Sequence, residues 1–316
     1  MNKKITLLLL SLGSALSIII LIYAADRVVG NKFNKIYAGW NSEGYRGIKK
    51  KEKKEGFERI VTVGGSTTFG YGTTYLHAWP HLIEEKFLEN SLKADVVNLG
   101  QLSQGIWAIK RDLLHYDYLD YDYVIFYSGY NDSNPNILNK SSARHYDLFF
   151  KLFGYLPILD TYIYEKMILI FYGDLEKFYS DKLKDTEAVS FSLDKENNPV
   201  RKKNQKKNNV NSNLAVENKA PFQDYINEYN ETFRFLLNKN KKIIFIHQPK
   251  LENYNFIQRE KINELLSGYP EIIQLDYTNL IDLSDKKISL DYMHLTIEGN
   301  TRLANKLFED IQNLFK

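Results

Sequence analysis

Arg59-Ile60-Val61-Thr62-Val63-Gly64-Gly65-Ser66-Thr67 decides how the rest of the chain is read. Five residues rich in β-branched side chains favour a pleated strand. The glycine pair then breaks the strand into a tight turn that presents a serine. Working outward, the same alternation repeats. Trp79 to Asn90 predicts a helix with Leu82, Ile83, Phe87 and Leu88 on one face, and Asp95 to Leu99 predicts a second strand. Ile106 to Leu114 is helix-like, and Tyr123 to Ser128 is apolar almost throughout, as a strand buried on both faces should be. Lys242 to His247 and Ile272 to Asp276 predict two more strands, flanked by helices over Phe222 to Leu237 and Asn255 to Ser267. The last helix, Ile297 to Phe315, has Leu303, Leu307, Ile311 and Leu314 on one stripe, and Thr296 can cap it.

Strands that alternate with helices imply a parallel sheet covered on both faces, an α/β fold. The alternation breaks over about 133–221, which reads as an insertion. Within it, Tyr155 to Tyr179 is rich in aromatic residues and is read as helices packed on the domain, in preference to a lid or a membrane-proximal surface. The polar run 194–213 has few apolar residues and is expected to be mobile. No internal repeat is evident.

The chain has 316 residues, 44% of them hydrophobic and 26% charged, enough for a substantial core. A net charge of +3 is too close to neutral to point to nucleic acid. The absence of cysteine excludes disulfides, thiolate catalysis and cysteine-ligated zinc. Ile5 to Ala25 is almost wholly apolar, and about 20 such residues cross a bilayer core of roughly 30 Å. A cleaved signal peptide is the competing reading. The apolar run is long for one, however, and Ile22 stands where a small residue is preferred before the cleavage site. The expected organisation is therefore a tail and anchor at 1–25, a stalk at 26–58 and a globular domain at 59–316. Lys3 and Lys4 favour a short inside tail, with the domain outside the cytoplasm. Lys49 to Glu55 reads as a solvated charge run.

Ligands of open parallel sheets bind beyond the carboxyl ends of the strands. Ser66, Gly100 and Asn131 follow three successive strands, and Asp291 and His294 precede the final helix. Together they supply the parts of an acyl-transfer site. A serine hydroxyl needs a base, which His294 provides, and Asp291 three residues earlier can fix the imidazole tautomer. The N–H groups of Ser66 and Gly100 and the Asn131 amide can stabilise an oxyanion.

On these residues the chain resembles the SGNH, or GDSL, hydrolase superfamily. That family has a nucleophilic serine in its first block, a glycine in the second, asparagine in a Gly-x-Asn-Asp third block and Asp-x-x-His in the fifth. Ser66, Gly100, Asn131, Asp291 and His294 take those places in order. Asn41-Ser42-Glu43-Gly44-Tyr45-Arg46-Gly47 also resembles a segment that precedes the first block in membrane-anchored bacterial members. The resemblance implies a three-layer αβα, flavodoxin-like fold with a five-stranded parallel sheet. It implies esterase, lipase or carbohydrate deacetylase activity on an acylated carbohydrate or lipid, with no cofactor. Two departures stand out: Gly65 replaces the family's aspartate before the serine, and the insertion after the third block is long.

The expected activity is hydrolysis of acyl esters, O-acetyl groups of an envelope polysaccharide among them. The rivals are an O-acyltransferase with the same triad and a non-catalytic envelope-assembly protein. Singly, each site residue has an ordinary structural explanation; order and strand-end placement favour catalysis. Asp132 and His247 are further candidates for substrate contact, and Arg46 either binds a polar substrate group or packs the stalk. His77 and His81 have metal-pair spacing but lack a third ligand, so no metal is expected.

Overall fold

The computed structural model describes residues 3–32, 36–129, 131–133, 148–185, 191–193, 199–201, 220–249 and 256–316. Five strands form one parallel sheet: β1 (Glu58–Gly64), β2 (Ala94–Asn98), β3 (Tyr123–Tyr127), β4 (Lys242–His247) and β5 (Ile273–Asp276). Their order is β2-β1-β3-β4-β5. This is the doubly wound order in which the chain reverses direction between β1 and β3, and such a switch point opens a crevice at the strand ends. Register sets what meets there. Thr62 lies opposite Asn98 and Gly64 opposite Tyr127, so β1, β2 and β3 end at one level.

The helices are α1 (Lys3–Lys32), α2 (Ser66–Phe69), α3 (Trp79–Glu89), α4 (Ile106–His115), α5 (Leu148–Phe153), α6 (Leu159–Phe171), α7 (Leu175–Asp185), α8 (Ala220–Asn238), α9 (Phe256–Ser267) and α10 (Ile297–Ile311). A small antiparallel hairpin pairs Phe191–Leu193 with Pro199–Arg201. The period-2 alternation of β1 divides the core in two. Ile60 faces Trp79, Ile83 and Phe87 of α3 and Leu303, Leu307 and Ile311 of α10. Val61 and Val63 face Ile109 and Leu113 of α4, Phe233 of α8 and Leu266 of α9. These two buried layers make the three-layer αβα architecture.

The helix α1 contains a 22-residue stretch, Leu9–Gly30, that is long and apolar enough to cross a membrane. It runs to Lys32, beyond the expected end of the apolar segment at Ala25. The segment expected as a stalk is largely part of the domain. Ile36, Asn41, Ser42, Tyr45 and Arg46 are buried. Arg46 N–H donates to Asn98 O at 3.1 Å, the Trp40 indole donates to Gln101 Oε1 at 2.6 Å, and Gln101 Nε2 donates to Gly44 O at 3.0 Å. Polar residues alone looked like a solvated linker; their partners lie more than fifty residues away. The charge run after Ile48 is largely surface, and even there Lys50 pairs with Glu84, and Lys53 with Asp120 and Asp122.

The insertion contributes α5, α6 and α7. The run 194–213, apart from Pro199–Arg201, lies outside the described residues. Two insertion carboxylates tie this unit to the domain. Glu165 of α6 accepts from Tyr37 N–H (3.0 Å) and Ala38 N–H (2.8 Å), and Glu176 of α7 accepts from Thr74 N–H at 2.9 and 3.0 Å and from the Thr74 hydroxyl.

Thr296 caps α10: its Oγ1 accepts from Gly299 N–H at 3.2 Å and donates to Lys287 O. Replacing Thr296 with Ala should cost about 1–2 kcal/mol. The check is urea unfolding, in which the midpoint falls while the denaturant slope stays unchanged.

Candidate active site

The serine sits where β1 turns into α2. Gly64 has φ +154°, and a Cβ there would lie 2.1 Å from Tyr127 O and 2.2 Å from Thr68 Oγ1, so only glycine closes the turn. Gly65 is the N-cap of α2 and Ser66 its first residue. Thr68 Oγ1 donates to Tyr127 O (2.6 Å), which fixes α2 to the end of β3. Gln248, just past β4, donates from Nε2 to Thr67 Oγ1 at 3.0 Å.

Across the rim, the loop before α10 folds back on itself. Leu290 N–H donates to His294 O at 2.8 Å, and Tyr292 takes a positive φ of 67° to make the turn. Asp291 Oδ1 accepts from His294 N–H at 2.8 Å and Met293 N–H at 3.2 Å. Asp291 Oδ2 lies 2.8 Å from His294 Nδ1, and His294 Nε2 lies 2.8 Å from Ser66 Oγ. This relay joins residues 228 positions apart in sequence. The side chains of His294 and Asp291 are only 4% and 9% exposed, so their hydrogen bonds meet little competition from water. Tyr71 packs edge-on against the imidazole, with ring centroids 5.4 Å apart. The bond from Nδ1 to a carboxylate leaves Nε2 as the acceptor for the serine proton.

The three expected oxyanion donors fare differently. Ser66 N–H opens α2 and has no partner among the described residues. Asn131 Nδ2 donates to Gln104 O at 2.8 Å, which orients the amide and leaves its second hydrogen for a ligand. Gly100 does not fit the expected role, because its N–H donates to Asn98 Oδ1 at 2.9 Å. Its smallness serves packing instead: a Cβ at Gly100 would meet Phe69 N at 2.5 Å and Thr68 C at 2.8 Å. Asn98 also donates from Nδ2 to Thr68 O at 3.1 Å, holding α2 against the end of β2.

Arg46 is 2% exposed and faces the protein rather than substrate. Its guanidinium donates to the carbonyls of Phe69, Gly70 (2.8 Å) and Thr73 and lies over the Phe69 ring at 4.0 Å. Burial pulls this guanidinium down to about 9. Arg46 thus clamps the loop that follows the serine. Asp132 is likewise structural. Its Oδ1 accepts from Ile106 N–H at 2.6 Å at the start of α4, and its Oδ2 accepts from the Tyr229 hydroxyl at 3.3 Å. His247 stacks edge-on against Phe245 at 5.1 Å, and it is the next residue, Gln248, that reaches the serine turn. His77 and His81 do not share a ligand: His77 Nδ1 pairs with Glu176, whereas His81 lies beside Glu84 and Glu85.

Gly65 explains the departure from the family pattern. A Cβ there would stand 2.2 Å from Asn131 Nδ2 and 3.1 Å from Gln104 O. The Asn131 amide occupies the space an aspartate would need. Residues that composition could not have found include Gln104, Asn98 and Gln248, whose amides act through partners distant in sequence. The one local signal was the run Asn98-Leu99-Gly100 at the end of β2, which includes Asn98 itself.

No protein-family model matches the chain, and no curated protein sequence matches it. Among solved structures it is similar to psychrotrophic esterase EstA from Pseudoalteromonas sp., at 8% identity and TM-score 0.48 over 81% of this chain and 98% of that chain. A family 3 carbohydrate esterase from Clostridium thermocellum is similar at 12% identity and TM-score 0.45 over 82% and 97%. A GDSL-like lipase from Bacteroides thetaiotaomicron is similar at 10% identity and TM-score 0.42 over 81% and 89%. The reading of the site rests on its own geometry.

Two predictions come from this packing. Gly65→Ala should push Asn131 aside and cut turnover of an activated ester by about 10²-fold, the typical cost of losing one oxyanion donor. Adding Asn131→Ala should restore the stability lost in Gly65→Ala without restoring turnover, as paired melting and rate measurements would report. Asp112 of α4 is pushed up to about 7 by burial, against the opposing hydrogen bond from Gln104 and the charge of Arg111. The folded state therefore holds this proton after the unfolded chain, with its ordinary carboxylate value near 3.9, has lost it. Stability from Asp112 is full below about pH 4 and is lost as pH rises through 7. Asp112→Asn should flatten that fall, seen as a urea midpoint less sensitive to pH between 4 and 8.

Proposed function

We propose that this chain is a serine esterase of SGNH type that hydrolyses acyl esters through an acyl-enzyme. The observation that carries the reading is the relay from Ser66 Oγ to His294 Nε2 at 2.8 Å and from His294 Nδ1 to Asp291 Oδ2 at 2.8 Å. His294 Nε2 takes the Ser66 proton as Oγ attacks the ester carbonyl. Asp291 stabilises the imidazolium and holds its tautomer. Negative charge builds on the carbonyl oxygen, where Ser66 N–H and the second Asn131 hydrogen can meet it. The C–O bond of the ester then breaks, and His294 returns its proton to the departing alcohol. Water, deprotonated by the same nitrogen, attacks the acyl-serine, and collapse releases the carboxylic acid and regenerates Ser66.

The family resemblance carried by the motifs directs the substrate reading to O-acyl groups, O-acetyl foremost, on an envelope carbohydrate or glycolipid. The chain is read as anchored by α1 with its catalytic domain outside the cytoplasm. An acyltransferase remains a second reading because of one observation: the His294 and Asp291 side chains behind the half-buried Ser66 are nearly closed to solvent. The insertion residue Leu183 and the loop residue Leu290 both crowd Gly72 on the loop after the serine. A sheltered acyl-enzyme would favour a sugar hydroxyl over water as the acceptor.

Turnover of p-nitrophenyl acetate by the full chain in detergent tests the proposal. Ser66→Ala should abolish it, and Asp291→Asn should lower kcat on the order of 10⁴-fold. Equal rates for wild type and Ser66→Ala would remove the serine mechanism. Acetylated oligosaccharide with and without a second acceptor sugar separates hydrolysis from transfer by the ratio of free acetate to transferred acetyl.

A further inference from the structure

The helices of the insertion carry an apolar surface that the proposed chemistry does not use. On α6, Ile163, Tyr164, Met167, Ile170 and Phe171 are all exposed, Ile170 and Phe171 by 75% and 81%. At 100° per residue these five fall within an arc of about 120°, a continuous outward stripe. The opposite face of the same helix is buried through Glu165 and Ile168. On α5, which precedes α6 and meets α1 through Phe153, Leu148, Leu152 and Phe153 are also exposed, by 71%, 67% and 52%. A soluble surface rarely leaves so many large apolar side chains together.

The position of this patch says what covers it. The end of α1 is docked on the α5–α6 junction. Asp26 Oδ1 accepts from Ile158 N–H (2.8 Å) and Leu159 N–H (2.6 Å), so a residue of α1 caps α6. Tyr23 packs on Phe153 and Tyr155, each with centroids 5.7 Å apart, and the Arg27 guanidinium lies over Tyr155. All three contacts fall in Leu9–Gly30, the stretch long enough to cross a membrane. The apolar patch is therefore continuous with the end of the membrane span, at the depth where tyrosines collect between hydrocarbon and water. Lys166 and Lys177 are exposed around it, placed to reach lipid phosphates.

We propose that α5 and α6 form a monotopic docking surface that lies in the headgroup region of the lipid bilayer beside the α1 span. The occupant is lipid. The inference rests on α1 being a membrane span and is independent of the esterase reading. Its consequence is a fixed position for the catalytic rim. Glu165 holds Tyr37 and Ala38, and Tyr37 O accepts from Tyr75 N–H at 2.6 Å. Glu176 holds Thr74. Glu165 thus ties the docked helix α6, and Glu176 the adjoining α7, to the loop that follows Ser66, so the site is held close to the membrane plane and suits an ester carried on or near a lipid.

The chain has no cysteine, which permits a direct test. Full-length Phe171→Cys, Ile170→Cys and, as a control at the far end of the domain, Leu314→Cys are each labelled with an environment-sensitive fluorophore and reconstituted into vesicles of phosphatidylethanolamine and phosphatidylglycerol. A melting transition matching the wild type confirms that each variant is folded, and resistance to alkaline carbonate extraction reports on α1 separately. The labels at 170 and 171 should emit to the blue of the label at 314. They should be quenched by spin labels placed about 5–10 Å below the lipid phosphates and little by aqueous iodide. Iodide quenching at 170 and 171 equal to that at 314 would overturn the proposal. Protection from both quenchers would also overturn it, because a protein would then cover the face. Extraction of the chain by carbonate would remove its premise.

Discussion

The hydrogen bond between Ser66 Oγ and His294 Nε2 joins two residues 228 positions apart, and the rest of the structure is organised around keeping its ends together. One end is held by the sheet. Parallel pairing of β1 with β2 and β3 brings three strand ends to one level, and Thr68 and Asn98 fasten α2 to two of them. The other end is held by α10. Its apolar stripe is buried against α3 and the sheet, and the Thr296 cap fixes where the helix begins, two residues after His294. A shift of about 1 Å in either element would lengthen the relay beyond useful proton transfer.

Around this bond, backbone groups are satisfied by side chains from distant parts of the chain. Arg46 binds three carbonyls of the loop after the serine, Gln101 and Trp40 bind each other's segments, and Glu165 and Glu176 bind amides of the domain from the insertion. Each is buried or partly buried, where an unpaired polar group costs roughly 1–3 kcal/mol. The segment before β1 and the insertion after β3 are therefore structural parts of the same α/β domain. Glu165, one of these carboxylates, belongs to α6, the helix with the exposed apolar stripe, so on the docking proposal the site and its height above a membrane are linked through one helix.

Much of this was legible in the sequence, and the reason is periodicity. Buried parallel strands are short apolar runs, and Tyr123 to Tyr127 or Lys242 to His247 could hardly be anything else. The relay was legible because Asp291 and His294 are local to each other, and Ser66 follows a glycine turn. The illegible parts depend on contacts with no local signature. Arg46 looked like a stalk residue because a polar run reads the same whether water or buried carbonyls satisfy it. Gly100 looked like an oxyanion donor because nothing in sequence shows that the side chain of Asn98 takes its amide. Gly65 looked like a weakened match, and only its nearness to Asn131 shows that the residue type follows from steric fit. The aromatic insertion looked like packed helices; burial of just one face of α6 could not be told from composition so rich in apolar residues throughout.

The central claim is that Ser66 is made nucleophilic by His294. A fluorophosphonate probe reports this directly, because it reacts with an activated serine without the natural substrate. With the full-length chain in detergent, peptide mapping should find one modified serine, Ser66, and His294→Ala should lose the modification while retaining the wild-type melting transition. Modification of a different serine, or undiminished labelling of Ser66 in folded His294→Ala, would contradict the account.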